Sequence, residues 1–250
     1  MSTNITDLFS SAVTNQDLDA TASLVLVDNL DAVALAGCNG VDIDDISSDD
    51  VTLVAVALDE SSSMSGERQA VIDGFNQMLK ALQDSRQADS VLLSTWTFST
   101  APKLAFSYTP VTKLAPLTKN DYNPNGGTAL YDTLLDVMTG LVAYGQMLRD
   151  NGVRTRCVIV TISDGEDNSS RVASTQVRTV SNALVAQETY TLAYVGVGSA
   201  NLRQIADEVG FPAVLTVNAS ASEIRRTFQQ VSASIIRSNQ AGFASNGFFI

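Results

Sequence analysis

Histidine is absent from the 250-residue sequence, and cysteine is nearly so. Without histidine, the chain cannot form a Ser-His-Asp triad, use a histidine general base or ligate zinc through imidazole. Cys38 and Cys157 are the only cysteines. Cys157 opens an apolar strand, which predicts a buried and inert thiol. A disulfide between the two stays open as an alternative, but two isolated cysteines in a chain of this size favour a reducing compartment.

Long apolar runs and an N-terminal basic patch are missing as well. No run reaches the roughly 18 consecutive apolar residues that mark a membrane-spanning helix. The first residues also lack the basic region of a secretory signal. The sequence therefore predicts a soluble protein without membrane insertion, and we expect a cytoplasmic location, with an unusual export route as the alternative.

Basic residues are scarce, and none precedes Arg68. The formal net charge is −12. Nucleic acid is not an expected partner, because neutralising phosphates requires clustered lysine and arginine. The acidic N-terminal part would instead attract a basic protein surface.

The segment from Val51 to Gly66, VTLVAVALDESSSMSG, organises the rest of the chain. Its first eight residues are almost all apolar, which predicts a central strand covered on both faces. Strands are predicted at 51–58, 91–98, 103–108, 156–163, 190–197 and 213–217, and helices at 67–83, 129–150, 175–188, 202–209 and 222–238. This alternation predicts an α/β fold with a Rossmann-like, doubly wound, mostly parallel central sheet flanked by helices.

The chain divides into three predicted parts: an acidic N-terminal extension at 1–50, a main domain at 51–238 and a C-terminal tail at 239–250. In the extension, residues 21–36 fit one amphipathic helix, and two short strands around a turn at Asp28-Asn29 fit nearly as well, so both remain open. The acidic stretch 41–50 lacks the glycine and glutamate of an EF-hand, which favours a solvated loop. The tail ends in two phenylalanines and an isoleucine, which predicts a loosely packed end or a docking segment.

Polar side chains occupy three loops that should meet at one edge of the sheet. Asp59, Ser61 and Ser63 follow the first strand at alternate positions. Thr128 follows two glycines and precedes a helix, and Asp164 follows the strand at 156–163. Ligands of open α/β sheets bind beyond the carboxyl ends of the strands. Three hydroxyls and two carboxylates gathered there would suit a hard cation such as Mg²⁺.

These three motifs, in this order, resemble those of the von Willebrand factor type A (VWA) domain and its metal-ion-dependent adhesion site. The motifs are Asp59-x-Ser61-x-Ser63, Gly127-Thr128 and Ser163-Asp164-Gly165. The resemblance covers about residues 51–238, and the segment SSSMSGERQAVIDGFNQML is especially similar to stand-alone bacterial cytosolic members. Ser62 stands where many members have glycine, a change that removes no ligand.

The resemblance implies a metal site and a non-enzymatic function. It implies that Ser61, Ser63 and Thr128 bind Mg²⁺ through hydroxyls, with Mn²⁺ or Ca²⁺ as alternatives, and that Asp59 and Asp164 act at or near the metal. A replaceable coordination position would then bind an Asp or Glu of a partner protein. Family members of this kind often work beside AAA+ ATPases or in stress-response systems, so such a component is a candidate partner.

Other interpretations of the same residues remain open. Ser61, Ser63 and Thr128 could be helix caps, and Asp164 could belong to a simple turn. Asp132 could orient the site or be a solvated helix residue. Three further acidic residues are expected to be rim charges, namely Glu60, Glu166 and Asp167.

Two alternative functions also stay open. An aspartate-dependent phosphatase-like hydrolase would require a second aspartate two residues after Asp59, where the sequence has Ser61. A self-assembling structural protein would use the acidic extension to place a carboxylate on a neighbour's metal.

Overall fold

The computed structural model describes residues 4–198, 201–241 and 247–249. Its centre is a six-stranded sheet with the order β3-β2-β1-β4-β5-β6. The strands are β1 (Asp50–Asp59), β2 (Val91–Phe98), β3 (Pro102–Pro110), β4 (Arg154–Ser163), β5 (Tyr190–Val197) and β6 (Ala213–Val217). All neighbouring strands pair in parallel except β3, which runs antiparallel to β2. The predicted mostly parallel, doubly wound sheet is therefore confirmed.

Within the described residues, eight α-helices surround this sheet. They are α1 (Ile5–Thr14), α2 (Ala20–Asp28), α3 (Ala32–Gly37), α4 (Arg68–Gln83), α5 (Leu130–Asp150), α6 (Ser174–Val185), α7 (Leu202–Val209) and α8 (Ala221–Ala241). In β1, Leu53, Ala55 and Ala57 belong to the core shared with α5 and the N-terminal helices. Val54, Val56 and Leu58 belong to the core shared with α4 and α8. Because successive strand residues point to opposite faces, one apolar strand serves both cores.

The sheet order reverses between β1 and β4, which defines the position of the candidate site. Chain connections run outward from β1 through β2 to β3, and then return to β4 on the other side of β1. Connections on the two sides leave a crevice at the carboxyl ends of the two strands, where α/β proteins bind ligands. Leu58 and Ile162 are paired, so the loops after β1 and β4 leave the sheet side by side.

The N-terminal residues form helices that share the core of the main domain. Neither of the two alternatives for residues 21–36 is correct, because α2 ends at Asp28 and α3 starts at Ala32. Asp31 ends the turn between them and accepts hydrogen bonds from the first amides of α3. Phe9 and Leu26 are buried in the core around α5, whereas Leu24 is 63% exposed. The N-terminal helices thus pack mainly against α5, α6 and β3.

The acidic stretch and the C-terminal tail both contain ordered contacts with the rest of the chain. The acidic stretch 41–50 contains a single 3-10 turn at Ile43–Asp45, and Gly40 forms a β-bridge with Tyr108. In the tail, Phe248 is 2% exposed and packs into the core around α4 and α8, so the docking alternative holds on this chain. Residues 242–246 and Ile250 of the predicted tail lie outside the described residues.

Both cysteines are free thiols and are buried. Burial raises the pKa of Cys38 to about 12 and raises that of Cys157 as well. The prediction of a buried, inert Cys157 agrees with this environment. Within the three described ranges, no helix is both long and apolar enough to cross a membrane.

Candidate metal centre

The loops after β1 and β4 are joined at the point where they leave the sheet. Ser163, the last residue of β4, donates a hydrogen bond from Oγ to Oδ2 of Asp59, at 2.5 Å. The other oxygen of the same carboxylate, Oδ1, accepts the backbone N–H of Ser61 at 2.8 Å. Asp59 is 1% exposed. Its carboxylate therefore holds the two loops together from a buried position.

A chain of hydrogen-bonded oxygens continues from this carboxylate towards the surface. The Oγ atoms of Ser61 and Ser63 lie 2.9 Å apart. Ser63 Oγ also donates to Oδ1 of Asp164 at 2.8 Å. Four of the five residues that the sequence predicted as a metal site thus form one connected group, although the loops that carry them are far apart in sequence.

Thr128 lies beside the loop that carries Asp164. Its backbone N–H donates to Oδ1 of Asn168 at 2.8 Å, and its carbonyl accepts the backbone N–H groups of Asn168 and Ser169. Its Oγ1 lies 4.0 Å from the place that a Cβ would occupy at Gly165. The hydroxyl therefore faces the first residues of this loop.

The helix-cap alternatives do not match the structure. The residue that caps α5 is Ala129, and no side chain caps this helix. Ser61 precedes a 3-10 helix at Ser62–Glu67 without a capping hydrogen bond from its side chain. Asp164 is hydrogen-bonded to Ser63 rather than only to its own turn. These polar side chains are directed to one another instead of to helix ends.

The two carboxylates of the group lie in an environment that disfavours negative charge. Burial raises the pKa of Asp59, and the charge of Asp164 raises it further. Burial also raises the pKa of Asp164. In the described part of the chain, no lysine or arginine forms an ion pair with either carboxylate. A cation bound here would supply the missing positive charge.

The chemistry of the available donors fits a hard cation. Hydroxyl and carboxylate oxygens are the ligands that Mg²⁺ and Ca²⁺ take, and neither sulfur nor imidazole is present. Within residues 4–198, 201–241 and 247–249, no group of three or more carboxylate or thiolate side chains is placed to hold a metal. An ion at this site would therefore depend on neutral hydroxyls as much as on Asp59 and Asp164.

Comparison with known proteins identifies the family. The model of the von Willebrand factor type A domain matches residues 54–230. The chain belongs to this family. The match covers both loops that leave β1 and β4, as well as the start of α5. VWA domains are generally metal-dependent protein-interaction modules. No curated protein matches the sequence.

Solved structures share the fold of this VWA domain at low sequence identity. The PilB minor pilin from Streptococcus sanguinis is 13% identical with a TM-score of 0.55, over 77% of this chain and 63% of that chain. The pilus adhesin SpaC from Lactobacillus rhamnosus GG is 11% identical with a TM-score of 0.59, over 77% and 31%. Proximal thread matrix protein 1 from the mussel byssus, with a zinc-occupied MIDAS motif, is 20% identical with a TM-score of 0.50, over 73% and 48%. The chain thus spans less than two thirds of the length of each.

Glu60 does not lie at the rim of the VWA site, contrary to the prediction. It is 7% exposed, and Oε1 accepts a short hydrogen bond from the backbone N–H of Asn123. Its own carbonyl accepts the backbone N–H of Asn125 at 2.8 Å. Glu60 therefore fixes the long loop at 114–129 against the loop after β1. Glu166 is exposed, as a rim charge would be.

Asp132 is a buried anchor rather than a solvated helix residue. It is 6% exposed, and its Oδ1 accepts the backbone N–H groups of Arg171 and Val172 at 2.9 and 3.0 Å. The backbone N–H of Asp132 donates to Oγ of Ser170 at 3.0 Å, and this hydroxyl donates to Oδ1 of Asp167 at 2.5 Å. The first turn of α5 and the loop after β4 are held together, and this loop carries Asp164. Oδ1 of Asp167 also accepts the backbone N–H of Tyr131 at 3.3 Å, so this residue makes a further contact between the loop and α5.

Tyr122 also supports the site, although the sequence analysis did not single it out. Its hydroxyl donates to the backbone carbonyl of Asp59 at 2.6 Å, and its side chain is fully buried. It is the only aromatic residue in the otherwise polar stretch 112–127. This position could have identified Tyr122 from the sequence, because a single aromatic residue in a polar loop is expected to anchor the loop.

Proposed function

We propose that this VWA domain is a non-enzymatic module that binds a partner protein through a Mg²⁺ ion held by Asp59, Ser61, Ser63, Thr128 and Asp164. One observation carries the proposal. Asp59, Ser61, Ser63 and Asp164 form one hydrogen-bonded group where the sheet order reverses, and no basic residue among those described pairs with its carboxylates. The hydroxyl of Thr128 faces the loop that carries Asp164. A hard cation would satisfy this arrangement better than any group in the chain.

The neutral hydroxyls and the charged carboxylates would have different roles at the ion. Ser61, Ser63 and Thr128 would hold the ion through neutral oxygens, which leave its charge undiminished. Asp59 accepts hydrogen bonds from Ser61 and Ser163 and would lie on the buried side of the ion. Asp164 lies closer to the surface. When bound, the ion supplies an electrophilic coordination position for a carboxylate. The exposed position of Ser63 leaves that side of the site open to an Asp or Glu of a partner.

The environment of Asp59 supports binding rather than hydrolysis. A phosphatase nucleophile requires a free carboxylate oxygen that can reach phosphorus and a nearby acid. Both oxygens of Asp59 accept hydrogen bonds, and the residue is 1% exposed. The position two residues later is Ser61, which cannot exchange protons as a carboxylic acid does. These features favour a non-catalytic role.

The structural relatives support the same kind of function. Their names include a minor pilin, a pilus adhesin and a matrix protein whose MIDAS motif holds zinc. We retain Mg²⁺ as the proposed ion, because few carboxylates are available, with Mn²⁺ and Ca²⁺ as alternatives. The proposal keeps 51–238 as the VWA domain and places the protein in the cytoplasm, where free thiols such as Cys38 and Cys157 are usual. An AAA+ ATPase or stress-system component is a candidate partner.

A competition pull-down tests this function. Wild-type protein and the Thr128→Ala variant are used as baits in Mg²⁺ and in EDTA, with Thr175→Ala as a matched variant on the exposed surface of α6. A partner that uses the metal should be retained by wild type and Thr175→Ala in Mg²⁺ only. A short peptide with one aspartate should compete, and its asparagine version should not. Partners retained equally in EDTA and by Thr128→Ala would overturn the proposal.

A further inference from the structure

A cavity of about 300 Å³ lies between the N-terminal helices and the main sheet domain, away from the loop after β1. Among the described residues, four carboxylates line it: one from the end of α2, one from the residue before α3 and two from α5. They are Asp28, Asp31, Asp132 and Asp136. The lining includes one basic side chain, that of Arg171. The cavity therefore carries a surplus of negative charge.

Arg171 compensates the carboxylates at the mouth of the cavity. Its Nε donates to Oδ2 of Asp132 at 3.2 Å, and its NH2 group lies 3.4 Å from Oδ2 of Asp31. The arginine side chain is 76% exposed, whereas the side chains of Asp31 and Asp132 are 37% and 7% exposed. A nitrogen cation thus already pairs with two of the four carboxylates.

Asp136 is left without such a partner. The residue is 5% exposed, and within the described chain its buried Oδ2 has no hydrogen-bond partner. Burial raises its pKa to about 8, and the charges of Asp31 and Asp132 add to the effect, while Arg171 opposes it. A buried carboxylate that lacks a partner is costly, and an entering cation would remove that cost.

The other walls of the cavity indicate which kind of cation fits. Leu30, Leu135 and Val172 line it together with the carboxylates. In the ranges that the structure describes, no three acidic or thiol side chains are placed to coordinate one metal ion. An ammonium group on an alkyl chain matches both features, since the charged end pairs with a carboxylate and the stem packs on apolar side chains.

We propose that this cavity binds an alkylammonium group, with Asp136 as its main partner and Leu30, Leu135 and Val172 around the alkyl stem. The group could belong to a lysine of a partner protein or to a free amine, since both have the same chemistry. The five predicted metal ligands do not line this cavity, and the proposal does not depend on the function proposed for the metal centre.

Thermal unfolding of the full chain tests the proposal, with n-butylamine as the probe. At pH 8.5 the amine remains protonated and Asp136 is largely ionised, so binding should be strongest there. At 20 mM, n-butylammonium should raise the Tm of the wild type by about 2 °C above the value in NaCl of equal ionic strength. The uncharged analogue n-butanol should not produce this rise.

The control variants are Asp136→Asn, which keeps the shape of the side chain, and Asp207→Asn on the exposed face of α7. The first should lose the response to n-butylammonium, and the second should keep it. A rise that persists in Asp136→Asn, or no rise in wild type, would overturn the proposal. So would a rise with CaCl₂ alone that Asp136→Asn abolishes, because the ligand would then be a metal.

The same assay distinguishes the two sources of the ammonium group. Nα-acetyl-lysine N-methylamide imitates a lysine within a protein, and 1,4-diaminobutane represents a free amine. A larger shift with the lysine analogue supports a partner protein, and a larger shift with the diamine supports a metabolite. Equal absence of shift with both, despite a response to n-butylammonium at the same concentration, would contradict a biological ligand of either kind.

Discussion

Ser63 Oγ donates a hydrogen bond of 2.8 Å to Oδ1 of Asp164, a residue 101 positions further along the chain. The contact is possible because β1 and β4 are adjacent and parallel, so the loops after them leave the sheet at one edge. The strands on which these loops depend are almost entirely buried. A rigid sheet thus places a hydroxyl and a carboxylate at the distance that a shared cation would require.

Tyr122 should stabilise the loop after β1 through its hydroxyl. Replacing it with phenylalanine leaves the buried carbonyl of Asp59 without its 2.6 Å donor. The loss of one buried hydrogen bond should lower the free energy of unfolding by about 1 to 2 kcal/mol. Urea denaturation followed by circular dichroism measures the difference.

The matched control for this change is Tyr108→Phe. The hydroxyl of Tyr108 is buried and, among the described residues, has no hydrogen-bond partner. Its removal should therefore be nearly neutral or slightly stabilising. Equal losses of stability in the two variants would show that the hydrogen bond to Asp59 contributes nothing specific.

Asp132 should influence the metal centre without being a ligand. It holds the backbone of Arg171 and Val172, and so fixes the far end of the loop that carries Asp164. Substitution of a residue that orients metal ligands typically lowers metal affinity about 10- to 100-fold. Asp132→Ala should show a loss of this size in Mg²⁺ calorimetry, whereas Asp207→Ala on the exposed surface should not. An unchanged affinity in a folded Asp132→Ala protein would refute the orienting role.

Gly140 should be required for the contact between α5 and the N-terminal helices. A Cβ at this position would lie 2.6 Å from the backbone oxygen of Gly37, so α3 would have to move. Gly140→Ala should destabilise the protein by about 1 to 3 kcal/mol. Gly145→Ala on the same helix is the control, because its Cβ would meet atoms no nearer than 3.4 Å. Similar stability of both variants would mean that the N-terminal helices are not packed as described.

Asp136 should make stability depend on pH. Burial raises its pKa to about 8 in the folded protein, from the ordinary aspartate value of 3.8. The folded chain therefore keeps a proton that the unfolded chain releases, and the resulting stability is lost as the pH rises towards 8. The free energy of unfolding of the wild type, relative to Asp136→Asn, should fall by about 1.4 kcal/mol per pH unit between pH 5 and pH 7. Urea titrations at several pH values measure it; a constant difference would contradict the prediction.

The sequence was sufficient to predict the sheet, because long apolar strands and amphipathic helices leave periodic patterns. The predicted strands at 91–98, 190–197 and 213–217 have the same bounds as β2, β5 and β6. The order of the three polar motifs also predicted that Ser63 and Asp164 would lie close together. Both inferences depend on residues near the ends of buried strands.

The N-terminal helices were less predictable for a physical reason. Each is short, and nearly every residue of α2 is small or apolar, so no helical face stands out. Leu24 is exposed although it is large and apolar, while the smaller Ala22 is fully buried. Which side of α2 is buried depends on the surfaces of α6 and α1 that it meets. The cavity around Asp136 could not be predicted for the same reason, since it forms between these elements.

Calorimetric titration of Mg²⁺ into the wild type and a Thr128→Val variant tests the central claim most directly. Valine keeps the shape of the buried threonine and removes only the hydroxyl. We expect the wild type to bind one Mg²⁺ per chain at or below millimolar concentration, and the variant to bind at least about 10-fold more weakly. Wild-type protein that takes up no Mg²⁺ or Mn²⁺ at millimolar concentration, or a variant with the same isotherm, would contradict the account.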